Sequence, residues 1–161
     1  MTTFTGAWAR EMGMHRIPVR SNKVVNSSYT GTSSNRANPF VMLSKESTDE
    51  HAGDCYGFNL IYSGNHYEAA EVNAYGKTRF VSGINPQSFC FLIAPGEDFE
   101  APEAVMTYSC DGYNGMSQNM HKFVNEHIVR GYWKKKERPV LLNSWEASYF
   151  DINERKLLSL A

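Results

Sequence analysis

The sequence predicts a mainly β protein of 161 residues: an antiparallel β-sandwich, then a linker helix, then a single truncated βα unit. Three observations carry this reading. Apolar residues alternate with a period of two from Cys55 to Tyr62, recur at helical spacing from Met116 to Ile128, and run unbroken from Val140 to Leu142 ahead of a second helical pattern. The length suits a single ordinary domain, and a hydrophobic fraction of 42% with 6 prolines excludes a disordered or collagen-like chain.

In chain order, the turn-rich stretch Asn26 to Asn38 reads as a loop, and Pro39 to Ser44 reads as the strand it leads into. Tyr56, Phe58, Leu60 and Tyr62 alternate with Cys55, Gly57, Asn59 and Ile61, the pattern of a strand with two unlike faces. Further strands are expected at His66 to Tyr75, Thr78 to Ile84, Phe89 to Ile93 and Ala104 to Tyr108. They are separated by the turn formers Gly64, Gly76, Asn85-Pro86 and Pro95-Gly96. Short strands at such spacing suggest a sandwich, with Phe58, Tyr62, Phe89, Phe91 and Tyr108 as core rings.

Near Gly112 both charge and periodicity change. Residues 46 to 111 carry eleven acidic side chains against Lys77 and Arg79, whereas residues 112 to 138 carry six basic ones against Glu126 and Glu137. Met116, Met120, Phe123, Val124, His127 and Ile128 define one apolar face of a helix of about four turns. It runs into Lys134-Lys135-Lys136-Glu137-Arg138, read as a solvated linker. The run Pro139 to Trp145, which does not alternate, reads as a strand buried on both faces, as in parallel sheets. Asp151, with Glu154 three places on, reads as the N-cap of a terminal helix that carries Leu157, Leu158 and Leu160. A lone βα unit leaves a strand edge and an apolar helix face without partners, so a larger protein is expected to continue past Ala161.

Composition narrows the function. With 16 Lys+Arg against 17 Asp+Glu the formal net charge is -1, which gives no field to gather nucleic acid or anionic lipid, and no apolar run approaches the about 20 residues a spanning helix needs. Met1 to Ala9 lacks a signal-peptide pattern, and the odd set Cys55, Cys90 and Cys110 offers no disulfide framework. A cytoplasmic location is expected. No metal motif or phosphate loop occurs, His121 and His127 fall on different sides of their helix, and no cofactor is expected. Ser33-Ser34 lacks both a nucleophile elbow and an adjacent base, so it reads as turn chemistry. The carboxylates Glu97, Asp98, Glu100 and Glu103 read as a charged hairpin surface. Glu146, at the C-terminal end of the expected buried strand, occupies the rim where barrel enzymes keep their sites. Trp145 is either a core ring or a face open to a sugar, whose C–H edges favour indole.

Several stretches, in order along nearly the whole chain, resemble the bacterial α-galactosidases of glycoside hydrolase family 36. They are Gly6-Ala7-Trp8-Ala9-Arg10-Glu11, Gly31-Thr32-Ser33-Ser34, Asn38-Pro39-Phe40, Tyr56-Gly57-Phe58, Tyr62-Ser63-Gly64-Asn65, Gly83-Ile84-Asn85-Pro86, Thr107-Tyr108-Ser109, Gly115-Met116-Ser117, and Arg138-Pro139-Val140 through Asn143-Ser144-Trp145-Glu146-Ala147. The last, followed by Tyr149-Phe150-Asp151, is the most specific. The resemblance implies that residues 1–111 are the later part of the family's N-terminal β-supersandwich, 112–138 a linker helix and basic linker, and 139–161 the first strand and helix of a (β/α)8 barrel cut at its end. It further implies a retaining hydrolase that removes terminal α-linked galactose from raffinose- or melibiose-type oligosaccharides, in a homo-oligomeric parent. The two catalytic aspartates would lie on later barrel strands, so none is expected in this chain and the chain alone is expected to be inactive. Trp145 matches the tryptophan that lines the galactose pocket, with Asn143 and Glu146 flanking it as further substrate-binding candidates. Thr30, Asn35 and Ser144 depart from the usual arginine, histidine and asparagine. The alternative is a non-catalytic carbohydrate-binding or oligomerisation β-sandwich.

Overall fold

A computed structural model describes residues 1–161 and resolves them into two compact units, Met1–Lys122 and Phe123–Ala161. The first contains eight strands: β1 (Thr2–Thr5), β2 (Gly13–Arg16), β3 (Val24–Ser27), β4 (Phe40–Ser44), β5 (Cys55–Leu60), β6 (His66–Val72), β7 (Thr78–Ile84) and β8 (Ala104–Ser109). They form a five-stranded sheet, β2-β1-β4-β5-β8, and a three-stranded sheet, β3-β6-β7, with every pairing antiparallel. Helix α1 (Gly112–Phe123) follows the last strand.

The larger sheet is the middle layer, because alternation along its strands sends apolar residues to both faces. From β4, Val41 and Leu43 point to the smaller sheet and pack with Met1, Val24, Ala70 and Phe80, while Phe40 and Met42 point to α1 and pack with Cys55, Met116 and Met120. The same alternation in β5 places Phe58 over Phe80, centroids 4.0 Å apart, and turns Cys55 and Gly57 toward the fully buried Met116. A Cβ on Gly57 would overlap the Met116 sulfur, so glycine lets the helix approach this strand. Gly112 begins the helix at φ +66°, where a side chain would also strike the Asp49 carbonyl.

The strands expected from Pro39 to Ser44, Cys55 to Tyr62, His66 to Tyr75, Thr78 to Ile84 and Ala104 to Tyr108 are present within a few residues of the expected bounds, whereas Phe89 to Ile93 forms no strand. Pro86 precedes that segment and Pro95 and Pro102 follow it, and its rings pack on nearby Phe99, Phe91 at 4.7 Å. Phe89, Phe91 and Tyr108 are accordingly about half exposed and are not core residues. The expected loop loses Asn26 and Ser27 to β3, while Tyr29 to Asn38 carries only the isolated bridge Ser34–Ala37.

In the second unit a π-helical turn, Val124–Ile128, completes the apolar helix pattern, and a 3-10 turn covers Tyr132–Lys135. Two further helices, α2 (Trp145–Ser148) and α3 (Glu154–Leu160), follow. The strand expected over Val140 to Trp145 is absent: residues 137–144 have no ladder partner, and Val140 is 100% exposed. A parallel strand exists only through its neighbours, and this chain provides none for it. Asp151 does not cap α3. Asn153 does, accepting from the Lys156 N–H at 3.0 Å, while the Asp151 carboxylate pairs with the Lys156 ammonium. No helix is long and apolar enough to cross a membrane.

Candidate functional site

Asn143, Trp145 and Glu146 come together at the start of α2, within the second unit. The Asn143 Oδ1 accepts from the Trp145 N–H at 3.0 Å, an Asx turn that orients the first helical residue and leaves the Asn143 amide group free to donate. One helical turn later the chain reverses: the Tyr149 N–H donates to the Trp145 carbonyl, and Tyr149 takes φ +46°, which ends α2 after Ser148. That reversal brings Tyr149 and Phe150 back onto the indole. Both rings meet Trp145 edge to face, with centroids 5.3 and 5.1 Å away.

The resulting aromatic group is open. Trp145 is 46% exposed, so it is not a core ring, and Tyr149 and Phe150 are more exposed still. Glu146 sits in the first turn of α2, exposed, and not at the end of a strand as expected. The arrangement offers a partly free indole face, an amide donor and a carboxylate within four consecutive residues, which are the groups a neutral sugar uses for stacking and hydroxyl recognition. Tyr149 and Phe150 enter the sequence reading only as part of a motif. Their role as the backing of Trp145 depends on the left-handed turn at Tyr149, which has no glycine to announce it.

The basic stretch is solvated, as expected. Lys134 donates to the Glu126 carbonyl, and Lys136 donates to the Tyr132 hydroxyl, 4.0 Å from that ring's centroid. In the first unit, Asp54 links Lys45 to the Tyr108 hydroxyl, and these hydrogen bonds hold its carboxyl below the usual carboxylate range. The bond to Asp54 pushes the Tyr108 phenol up to about 12.

Residues 1–94 match the glycosyl hydrolase family 36 N-terminal domain, and residues 98–161 match the melibiase family. Among curated relatives, the α-galactosidase AgaA of Geobacillus stearothermophilus is 45% identical over 156 residues, 97% of this chain and 21% of its own length. The α-galactosidase Mel36A of Lactobacillus acidophilus is 44% identical over 158 residues, 98% of this chain and 22% of its own. The crystal structure of AgaA superposes with a TM-score of 0.92 at 44% identity, covering 98% of this chain and 22% of that one. A variant of the same enzyme has been solved in complex with raffinose. The chain thus spans about a fifth of the length of the relatives it matches. With more than half of its residues inside the N-terminal domain match, the chain belongs to glycoside hydrolase family 36.

Proposed function

We propose that this chain provides the scaffold and first barrel segment of a retaining α-galactosidase that removes terminal α-linked galactose from raffinose- or melibiose-type oligosaccharides. In this reading residues 1–111 belong to the supersandwich, 112–138 link it onward, and 139–161 open the catalytic barrel. Trp145 forms a wall of the galactose pocket, Asn143 donates to a sugar hydroxyl and Glu146 accepts from one. The parent works as a cytoplasmic homo-oligomer, and the 161-residue chain has no turnover of its own.

One observation carries the site assignment: the indole of Trp145 stands 46% exposed while Tyr149 and Phe150 both meet it edge to face. Relatives at 44–45% identity are α-galactosidases, which supports the same chemistry here. The test is a chromogenic α-galactoside offered to the purified chain and to the product of the complete reading frame that encodes it. Turnover is expected only from the latter, and its Trp145→Ala variant should lose about 10²-fold in kcat/KM through misplaced substrate. An unchanged kcat/KM in that variant sinks the assignment of Trp145. Galactose binding by the isolated chain would favour the carbohydrate-binding module instead.

A further inference from the structure

The smaller sheet holds a buried histidine–carboxylate pair that the proposed activity does not use. His66 opens β6 and Glu68 lies two residues along it; both are fully buried. The imidazole faces an acceptor at each nitrogen: Nδ1 lies 2.8 Å from Glu68 Oε2, and Nε2 lies 2.6 Å from the carbonyl of Ala37, in the Tyr29 to Asn38 loop. A carbonyl can only accept, so Nε2 carries a hydrogen. If Nδ1 and the carboxylate were both bare, two sets of lone pairs would face each other at hydrogen-bond distance. The geometry therefore requires one further proton, shared between His66 and Glu68.

We propose that this shared proton is a latch for the Tyr29–Asn38 loop: while it is present His66 holds both Glu68 and Ala37, and once it leaves the neutral ring keeps Glu68 and releases Ala37. A neutral imidazole has one N–H, and the buried carboxylate competes for it more strongly than a peptide carbonyl does. Glu68 has little else to satisfy it. Its Oε1 has no partner, its Oε2 accepts only from His66 and from Asn26 Nδ2 at 2.9 Å, and Ser82, opposite it on β7, has a hydroxyl that is also unpartnered.

The loop depends on this corner because it has almost no ladder of its own. Asn26 donates to the Asn38 carbonyl, Asn85 to the Ser28 carbonyl, the Gly31 N–H to Asn65 Oδ1, and the Ser33 N–H to the Ser63 carbonyl. Each of these is neutral and insensitive to pH, so the His66 bond is the one that can switch. The elements around the pair add no further ionisable partner: β3 contributes Asn26, the segment after it Ser28, and β7 contributes Ser82. On the outer side of Asn26 and Ala37, an open cleft of about 720 Å³ carries His15, Arg16 and Arg36. His15 is bonded to Thr5 and Arg16 to the carbonyls of Glu46 and Thr48, and neither is bonded to the pair.

The direction of the switch follows from how tightly the proton is held. Burial pushes Glu68 up, and for His66 the bond and charge of Glu68, with the Ala37 carbonyl, outweigh the lowering effect of burial. Both groups bind protons more tightly in the fold than in the unfolded chain, so the latch is closed on the acid side and opens as the pH rises through the raised value of His66.

The experiment follows trypsin cleavage of the exposed Arg36–Ala37 bond in the 161-residue chain by mass spectrometry, normalised to an unstructured peptide of the same loop. The normalised rate is expected to stay flat near neutrality and then rise about tenfold per pH unit, as loss of one proton requires. Cleavage at Arg79–Phe80 within β7 should not follow. Glu68→Gln should flatten the profile and keep Arg36 cleavage slow as the pH rises, because with no carboxylate to compete the amide can donate to Nδ1 and the single N–H of the neutral ring stays on Nε2 for Ala37. Should that variant not fold, ring ¹⁵N shifts of His66 in the unaltered chain serve in its place, with two protonated-type nitrogens or a proton visibly shared with Glu68 expected at neutral pH. A flat wild-type profile, a parallel rise at Arg79, or a His66 that titrates as a free imidazole overturns the latch.

Discussion

The two units of this chain carry comparable apolar sequence and use it differently. In Met1–Lys122 every strand finds an antiparallel neighbour, next in sequence for β1–β2, β4–β5 and β6–β7 and distant for β1–β4, β3–β6 and β5–β8, and Val41, Cys55, Ala70 and Met116 are excluded from solvent. In Phe123–Ala161 the only buried residue is Ser148, while Val140, Leu141, Phe150 and Leu158 are largely exposed. Hydrophobicity alone does not make a core; it has to meet a partner surface at the right period. Antiparallel hairpins supply that surface locally, whereas a parallel strand takes it from elements far along the chain.

The sharpest way to break the comparison is truncation at matched sites. Met116→Ala removes a fully buried side chain wedged between α1 and β5, where Met42, Cys55 and Gly57 enclose it. Substitutions of this kind cost about 2–5 kcal/mol, a large share of a small domain's stability. Leu141→Ala, at a side chain 87% exposed, is expected within about 0.5 kcal/mol of no effect. Urea titrations of the two variants decide it, and comparable losses from both would mean that residues 137–144 are packed in solution.

A subtler measure is thiol reactivity. Burial pushes the Cys55 thiol up to about 11 and removes it from solvent, while Cys90 and Cys110 are exposed. At neutral pH an alkylating reagent should modify Cys90 and Cys110 rapidly and Cys55 only when the sandwich opens, slower by about 10³-fold or more. Rates within tenfold of one another would show that α1 leaves β5 readily.

How much of this could be read from the residues depends on the range of the interactions. Strands β4 to β8 alternate over five to seven residues between turn formers, so their local pattern and their tertiary fate agree. Strands β1, β2 and β3 are only four residues long, and Thr2–Thr5 carries three threonines around one phenylalanine, too little period to detect. Phe89 to Ile93 fails in the opposite way: it alternates like a strand, yet no ladder reaches it between its prolines. Trp145 stands out in the sequence through its position and a motif, while its aromatic backing arises from a single backbone reversal. The His66–Glu68 pair left no signal, because Asn26 and Ala37 lie 42 residues before Glu68 and 29 before His66. A histidine at a strand start reads as an ordinary surface residue until those neighbours are placed.

The smallest expected effect bears on the second unit, where local interactions stand in for packing. Helix α3 has seven residues and no buried side chain, so its N-terminal bonds matter more than they would on a packed helix. Asn153 satisfies the Lys156 N–H, and Asn153→Ala removes that acceptor at a cost of about 1 kcal/mol. The cost is local: α3 amides should exchange several-fold faster in the variant, while those of β5 keep their rates and the urea midpoint of the sandwich does not move. A shift in that midpoint would show that the two units unfold together, and the contrast between a self-sufficient sandwich and a segment held by local bonds would then have to be abandoned.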